Sequence, residues 1–191
     1  MNSKFQELLK TGTNLLLNSG IQAARNETMI LFEKALKKSK LELLTNSKIN
    51  ISTIQKRRIL KLIYERREGK PISKIFGEKE FYSNQFKVNC NVLDPRPESE
   101  LIVDIVKKLN KNSTQETQQI LDLGTGTGCL IISIILEYKE QKVFGLGVDI
   151  CKKALKIANV NISRHGLQER ISLKKSSWFS NISGKFDIII S

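Results

Sequence analysis

Ile120-Leu121-Asp122-Leu123-Gly124-Thr125-Gly126-Thr127-Gly128 is the stretch that decides the fold. A short apolar run ends in a glycine-rich turn, and an apolar segment from Cys129 to Tyr138 follows without a breaker. That order reads as strand, loop, helix. Gly124, Gly126 and Gly128 can take backbone angles closed to other residues and let a ligand approach the main chain, while the start of the next helix presents unpaired amides.

Two cofactor classes use such a loop, and spacing separates them. A dinucleotide fingerprint needs its third glycine three positions after the second, where this chain has Cys129; the glycine comes one residue early. Asp122 argues the same way. A carboxylate at the strand's end repels a pyrophosphate and attracts the ammonium and sulfonium of S-adenosylmethionine. The loop therefore favours S-adenosylmethionine, with Gly124, Thr125, Gly126, Thr127 and Gly128 as its cradle.

Downstream, Val143–Val148 reads as a second strand that ends at Asp149, about twenty residues past the glycines, where a carboxylate can accept both ribose hydroxyls of an adenosine. The same Asp149 also suits the cap of the next helix, Lys152–Arg164, whose Ala154, Leu155, Ala158 and Ile162 share one face and which Gly166 ends. Ile171–Lys174 is a third strand, Ser176-Ser177-Trp178-Phe179 follows it, and Phe186–Ser191 is a fourth. Alternating strands and helices predict an α/β fold with a parallel, doubly wound sheet and ligands at the strands' carboxyl ends. Asp122, Asp149 and Ser177 all fall at such ends.

Upstream, residues 2–70 are helical in pattern. Phe5, Leu8, Leu9, Leu15 and Leu16 recur at helical spacing until Asn18-Ser19-Gly20; Ile21–Ser39 is a second helix with Lys37 and Lys38 in its last turn, and Leu41–Leu44 a short further turn. Ser52 or Thr53 caps a third main helix, Ile54–Arg67, with Gly69 after its end. After Pro71, Phe81, Phe86 and Val88 around Ser83-Asn84 suggest a hairpin. In Asp94-Pro95-Arg96-Pro97-Glu98-Ser99-Glu100 the prolines hold Arg96 extended and let Pro97 open a helix from Glu98 to Leu109; Asn110–Gln118 reads as a polar surface loop. The expected organisation is a helical bundle over 1–74 that holds a partner, a β-hairpin linker over 75–94, and a partial cofactor-binding Rossmann-like domain over 95–191.

With 191 residues the chain can bury a core, and no apolar stretch is long enough to span a membrane. The start lacks the apolar centre of a signal peptide, so a cytoplasmic location is expected. Three cysteines, Cys90, Cys129 and Cys151, and the single His165 have neither disulfide nor zinc spacing, so no metal is implied. Cys129 sits where a helix N-terminus can lower a thiol's pKa, but a small buried residue is the favoured reading. The formal charge of +13 raises affinity for polyanions such as RNA or the ribosome. The basic pairs are spread along the chain, Arg57-Arg58 and Lys174-Lys175 among them, with few aromatics between, and do not by themselves define a nucleic-acid site.

The ordered set Pro95-Arg96-Pro97-Glu98-Ser99-Glu100, Asp122-Leu123-Gly124-Thr125-Gly126-Thr127-Gly128, Asp149, Ser177-Trp178-Phe179 and Phe186-Asp187-Ile188-Ile189-Ile190-Ser191 resembles the peptide chain release factor N5-glutamine methyltransferases. With the helical N-terminal part and Gly77–Phe81, the resemblance runs the length of the chain. It implies methyl transfer from S-adenosyl-L-methionine to the side-chain amide of the glutamine in the Gly-Gly-Gln tip of release factors. By that similarity Gly124–Gly128 would hold the methionine part, Asp149 the ribose, and Trp178 the edge of the adenine pocket.

Two departures stand out. The family usually has an Asp before the Trp, to accept the adenine amino group, and this chain has Ser177, a weaker neutral acceptor. In the family the strand matching Phe186–Ser191 runs into Asn-Pro-Pro-Tyr, whose acceptors aim the amide nitrogen at the methyl, and the given sequence stops at Ser191. The expectation is an N-terminal part of such an enzyme, inactive alone, prone to associate, with no catalytic residue of its own. A non-catalytic remnant that binds cofactor or release factor, and a nucleic-acid adenine-N6 methyltransferase, are the alternatives; the N-terminal helices speak against the latter.

Overall fold

The computed structural model describes residues 4–45, 49–110, 117–138 and 142–191, and these form two compact units, Met1–Phe76 and Gly77–Ser191. In the first unit, α1 (Lys4–Leu17), α2 (Ala24–Leu36), α3 (Lys40–Thr45), α4 (Thr53–Arg67) and α5 (Ile72–Phe76) enclose a core built on Phe5, Leu16, Leu31, Phe32, Leu43, Ile59 and Ile63. The rings of Phe5 and Phe32 meet edge to face at 5.6 Å. Gly12 lets the helices approach closely: a Cβ there would stand 2.7 Å from Ile63 Cδ1 and 2.9 Å from Thr28 Cγ2. Ser52 caps α4 in a reciprocal box with Gln55.

The second helix is shorter than its pattern predicts. It begins at Ala24, after a turn in which the Ala24 amide bonds to Ile21, and it ends at Leu36 because Lys37 turns left-handed and the Lys38 amide returns to Glu33. Lys37 and Lys38 therefore lie past its end. Residues 72–76 also differ from expectation. They form α5, opened by the Pro71 carbonyl, which accepts the amides of Lys74 and Ile75.

The second unit opens with an antiparallel hairpin, β1 (Glu78–Phe81) and β2 (Asn84–Lys87), turned through Tyr82 and Ser83 at φ +46° and +58°. The hairpin packs into this unit's core through Phe81 and Phe86. A 3-10 turn over Pro97–Ser99 leads into α6 (Glu100–Asn110), so the α-helix starts two residues later than predicted. Next come β3 (Thr117–Leu123), α7 (Cys129–Glu137), β4 (Lys142–Asp149), α8 (Lys152–Arg164), β5 (Ile171–Lys175) and β6 (Ile188–Ile190). Of the expected polar loop, residues 111–116 lie outside the described residues; Thr117 and Gln118 belong to β3, where Gln118 is buried.

The four strands are parallel in the order β5-β4-β3-β6, with Asp122 beside Gly147 on one side and Ile190 on the other. Side chains alternate across the sheet. Ile120, Val143, Ile171 and Ile190 face α6, α7 and α8, while Leu121, Leu123, Leu146 and Val148 cluster on the other face with Ile182 and Phe186 of the loop before β6. The described helices therefore cover one face, not both as a doubly wound sheet requires. The reason is topological: β3, β4 and β5 advance in one direction, and the return from β5 to β6 contains no described helix. Among the described residues no helix is long and apolar enough to cross a membrane.

Candidate functional site

β3 ends on Asp122, which is only 1% exposed. Thr125 Oγ1 donates to its Oδ2 at 2.7 Å. Burial is the main influence on this carboxyl and lifts its pKa to about 6; the Thr125 bond opposes the rise, and the negative Asp149 adds to it. Gly147 on β4 makes room for the pair, since a Cβ there would lie 2.9 Å from Thr125 Oγ1.

The glycine loop turns away from the strand through left-handed angles at Gly124 (φ +75°), Gly126 (φ +55°) and Gly128 (φ +78°). Most of its amides are committed inside the protein. The Val148 carbonyl accepts both Gly124 and Thr125 at 2.8 Å, Asp149 Oδ2 accepts Gly126 at 3.0 Å, the Thr125 carbonyl accepts Gly128 at 2.7 Å, and Thr127 Oγ1 accepts Cys129 at 3.3 Å. Gly128 has a packing duty as well: a Cβ would meet Ile132 at 3.1 Å and Ala158 at 3.5 Å, where α7 approaches α8.

Asp149 ends β4. Its Oδ1 accepts the Cys151 amide at 2.8 Å, in addition to the Gly126 bond. The N-cap of α8 is Cys151, without a side-chain cap bond, so Asp149 stands two residues before the cap and does not cap the helix as expected. After β5, Ser176 is buried, donates to the Trp178 carbonyl at 2.8 Å and accepts the Asn181 amide at 3.1 Å. That bend puts Trp178 at φ +47° with its residue 65% exposed, and leaves the Ser177 hydroxyl exposed without a hydrogen bond among the described residues.

The cleft at these strand ends has two lobes that meet at Gly124 and Asp149. The smaller, about 200 Å³, is lined by Ile150, Ser176, Ser177 and Trp178. The larger, about 440 Å³, is lined by Gly124–Thr127 and, opposite, by Asp94, Pro95 and the extended Arg96. Three carboxylates, Asp94, Asp122 and Asp149, face this lobe against the single guanidinium of Arg96. A cleft so charged, with its loop amides already engaged, suits a cation and disfavours a pyrophosphate. Glu100 serves elsewhere, accepting the Tyr82 amide at 2.8 Å and so fixing the hairpin turn. Burial pushes the Cys129 thiol up to about 11, against its Thr127 hydrogen bond, so the helix start does not activate it.

All the predicted site residues, from Gly124 to Gly128 with Asp149 and Trp178, lie around this one edge of the sheet. Asn161 is the residue that the sequence pattern conceals. Fully buried on α8, it donates to the Thr127 carbonyl at 2.8 Å and exchanges two bonds with the Lys87 main chain at 2.7 and 3.1 Å, tying the glycine loop to β2. The buried face of α8 runs through Ala154, Ile157, Ala158, Asn161 and Ile162, and the predicted Leu155 is only half-buried. An asparagine among apolar positions was the one available signal.

Residues 7–77 match the PrmC N-terminal domain, and residues 98–191 match the methyltransferase small domain. The chain is 30% identical over 200 residues to the release factor glutamine methyltransferase of Haemophilus influenzae, a match that takes in 100% of this chain and 68% of that protein. The chain belongs to the release factor glutamine methyltransferase family. A second member, from Agrobacterium fabrum, is 39% identical over 136 residues, covering 70% of this chain and 46% of its own length. The bifunctional methyltransferase of Rickettsia bellii is 31% identical over 216 residues, covering 100% of this chain and 38% of that one. The chain thus spans less than half the length of these two relatives. Among solved structures, the RNA methyltransferase of Salinibacter ruber in complex with S-adenosyl-L-homocysteine overlaps 51% of this chain and 58% of its own, with TM-score 0.40 and 22% identity.

Proposed function

We propose that the cleft binds S-adenosyl-L-methionine and serves methyl transfer to the side-chain amide of the glutamine in the Gly-Gly-Gln motif of peptide chain release factors. The observation that carries the cofactor reading is the charge of the larger lobe, three carboxylates beside a glycine loop whose amides are mostly spoken for. The residues fit the group. Trp178 and the Ser177 hydroxyl stand at the smaller lobe for an adenine, Asp149 lies between the lobes for ribose hydroxyls, and Gly124 and Gly126 leave the wall open along Asp122 for the methionine part. When bound, that cofactor supplies an electrophilic methyl group on a sulfonium. The protein's own contribution is to hold compensating negative charge at the strand ends, with Asp122 fixed by Thr125 and Asp149 by two amides.

The release factor as substrate rests on family membership, and residues 1–74 are the part assigned to docking it. An amide nitrogen shares its lone pair with its carbonyl and needs acceptors to orient it. The Asn-Pro-Pro-Tyr segment that the resemblance assigns to that task does not occur in these 191 residues, so the 191-residue chain by itself is expected to bind cofactor without turning over. Calorimetry with S-adenosyl-L-homocysteine tests the first part: heat that saturates at one site supports it, and a folded chain that gives none overturns it. Incorporation of labelled methyl into a release factor by the 191-residue chain alone would overturn the second.

A further inference from the structure

The division at Phe76 gives the excess charge a location. Residues 1–76 carry sixteen Lys and Arg against six Asp and Glu, whereas residues 77–191 carry sixteen against thirteen. A general lysine bias would load the two stretches in proportion to length, and the shorter one is the more basic. The charge gathers on α4. There Arg66 is held by Glu27 at 2.5 Å and Arg67 by Glu68 at 2.8 Å, while Lys70, just past the helix, takes Glu65 at 2.5 Å. Lys56, Arg57 and Arg58 are exposed and have no ion pair among the described residues.

Ile59 and Ile63 turn one side of α4 to the core, so helical spacing puts Ile54, Arg57, Arg58, Lys61 and Tyr64 on the other. All five are exposed, Ile54 by 80% and Tyr64 by 45%. The Arg67 guanidinium lies 4.8 Å from the centre of the Tyr64 ring. The acids that share this side, Glu65 and Glu68, are already neutralised by their partners. The result is a strip of cations ending in an arginine-backed aromatic ring.

We infer that the outer face of α4 binds a single-stranded nucleic acid, its phosphates held by Arg57, Arg58 and Lys61 and a base stacked on Tyr64. From Arg57 to Tyr64 the helix rises about 10 Å, enough to run beside one or two nucleotides of an extended single strand. An acidic polypeptide would satisfy the cations but would have no use for the ring, whereas every base has a π-face to set against it. A lipid surface needs a broad apolar face, and here Ile54 stands alone among charges. The inference concerns the first unit and is independent of cofactor binding.

The test is fluorescence anisotropy of the 191-residue chain with a labelled oligouridine of about 20 nucleotides and, in parallel, the matching oligothymidine, the two distinguishing RNA from DNA as the source. Affinity should fall with salt at a log–log slope of about −2, for three phosphate contacts. Arg57→Glu/Arg58→Glu should cost at least about tenfold, while Lys153→Glu/Lys156→Glu, the same charge change on exposed residues of α8, should stay within about twofold. Tyr64→Ala should weaken binding by about fivefold or more without changing the salt slope. Circular dichroism checks each fold, and Arg57→Gln/Arg58→Gln carries the test if charge reversal unfolds the chain. Equal losses from the α4 and α8 pairs, polyglutamate or anionic vesicles competing as well as RNA, or no binding in low salt, would each overturn the inference.

Discussion

The amide of Gly126 donates to Oδ2 of Asp149 at 3.0 Å, so the end of β4 fastens the middle of the glycine loop while the other carboxylate oxygen holds the amide of Cys151, the residue before α8, at 2.8 Å. One residue thus shapes the loop and faces the cleft. Asp149→Ala should lower stability by about 1–3 kcal/mol in urea unfolding and remove measurable binding of S-adenosyl-L-homocysteine. Asp149→Asn, which keeps one acceptor oxygen, should fall between. An alanine variant that binds like the parent would remove Asp149 from the site.

Asp122 should make both stability and binding depend on pH. Burial, the largest influence, holds its pKa at about 6, above its ordinary 3.8, so the folded chain takes up its proton more readily than the unfolded one. The stabilising contribution is complete below about pH 4 and is lost as pH rises through about 6. Asp122→Asn should flatten that part of the profile and gain on the parent between pH 4 and 8. Cofactor binding should run the opposite way, weakening in the parent as pH falls through about 6 and staying flat in the variant. Parent affinity that does not change between pH 8 and 5 contradicts this.

Gly145 and Gly147 separate fold from site. A Cβ on Gly145 would press Ile131 at 2.5 Å, and one on Gly147 would press Thr125 Oγ1 and Leu173 at 2.9 Å. Each alanine substitution should cost about 1–3 kcal/mol. Only Gly147→Ala, by displacing Thr125 from Asp122, should also weaken cofactor binding by the protein that remains folded. Calorimetry on both variants decides whether the two effects part as expected.

Trp178 is the chain's single tryptophan and stands 65% exposed at the smaller lobe. Its emission should shift to shorter wavelength and saturate on titration with S-adenosyl-L-homocysteine. Trp178→Gly should unfold no more easily than the parent, since it relieves a left-handed backbone at φ +47°, yet bind more weakly. An emission spectrum indifferent to saturating ligand would place the adenine elsewhere.

Asn161→Ala would orphan the Thr127 carbonyl and both main-chain groups of Lys87. The expected loss is about 2 kcal/mol or more, together with weaker cofactor binding through a loosened loop. A loss of stability with unchanged affinity would make Asn161 a purely structural tie.

What could be read in advance follows the range of the interaction involved. Asp122 and its glycines declare a strand, a tight turn and a helix within nine consecutive residues, and every step there is local. The cap of α4 is local too: of the two expected candidates Ser52 takes it, and the helix starts at Thr53, one residue before the expected Ile54. Lys37 falls outside the helix its pattern suggests because a left-handed lysine has no sequence signature, and α5 is not legible because five residues carry too little periodicity. Glu100, Asn161 and Ser176 are committed by partners 18, 74 and 5 residues away or by a bend in the chain, so their composition alone suggests helix capping, helix surface and loop. The one-sided cover of the sheet likewise depends on where β6 inserts.

That one-sidedness divides neighbouring isoleucines into different fates. Ile190 is 8% exposed against the helices, and Ile189, the next residue, is 52% exposed on the opposite side. A library of random codons across β6 in this chain would accept threonine, lysine or glutamine freely at Ile189 and almost nothing but another hydrocarbon at Ile190, so tolerance would alternate with the pleat of the strand.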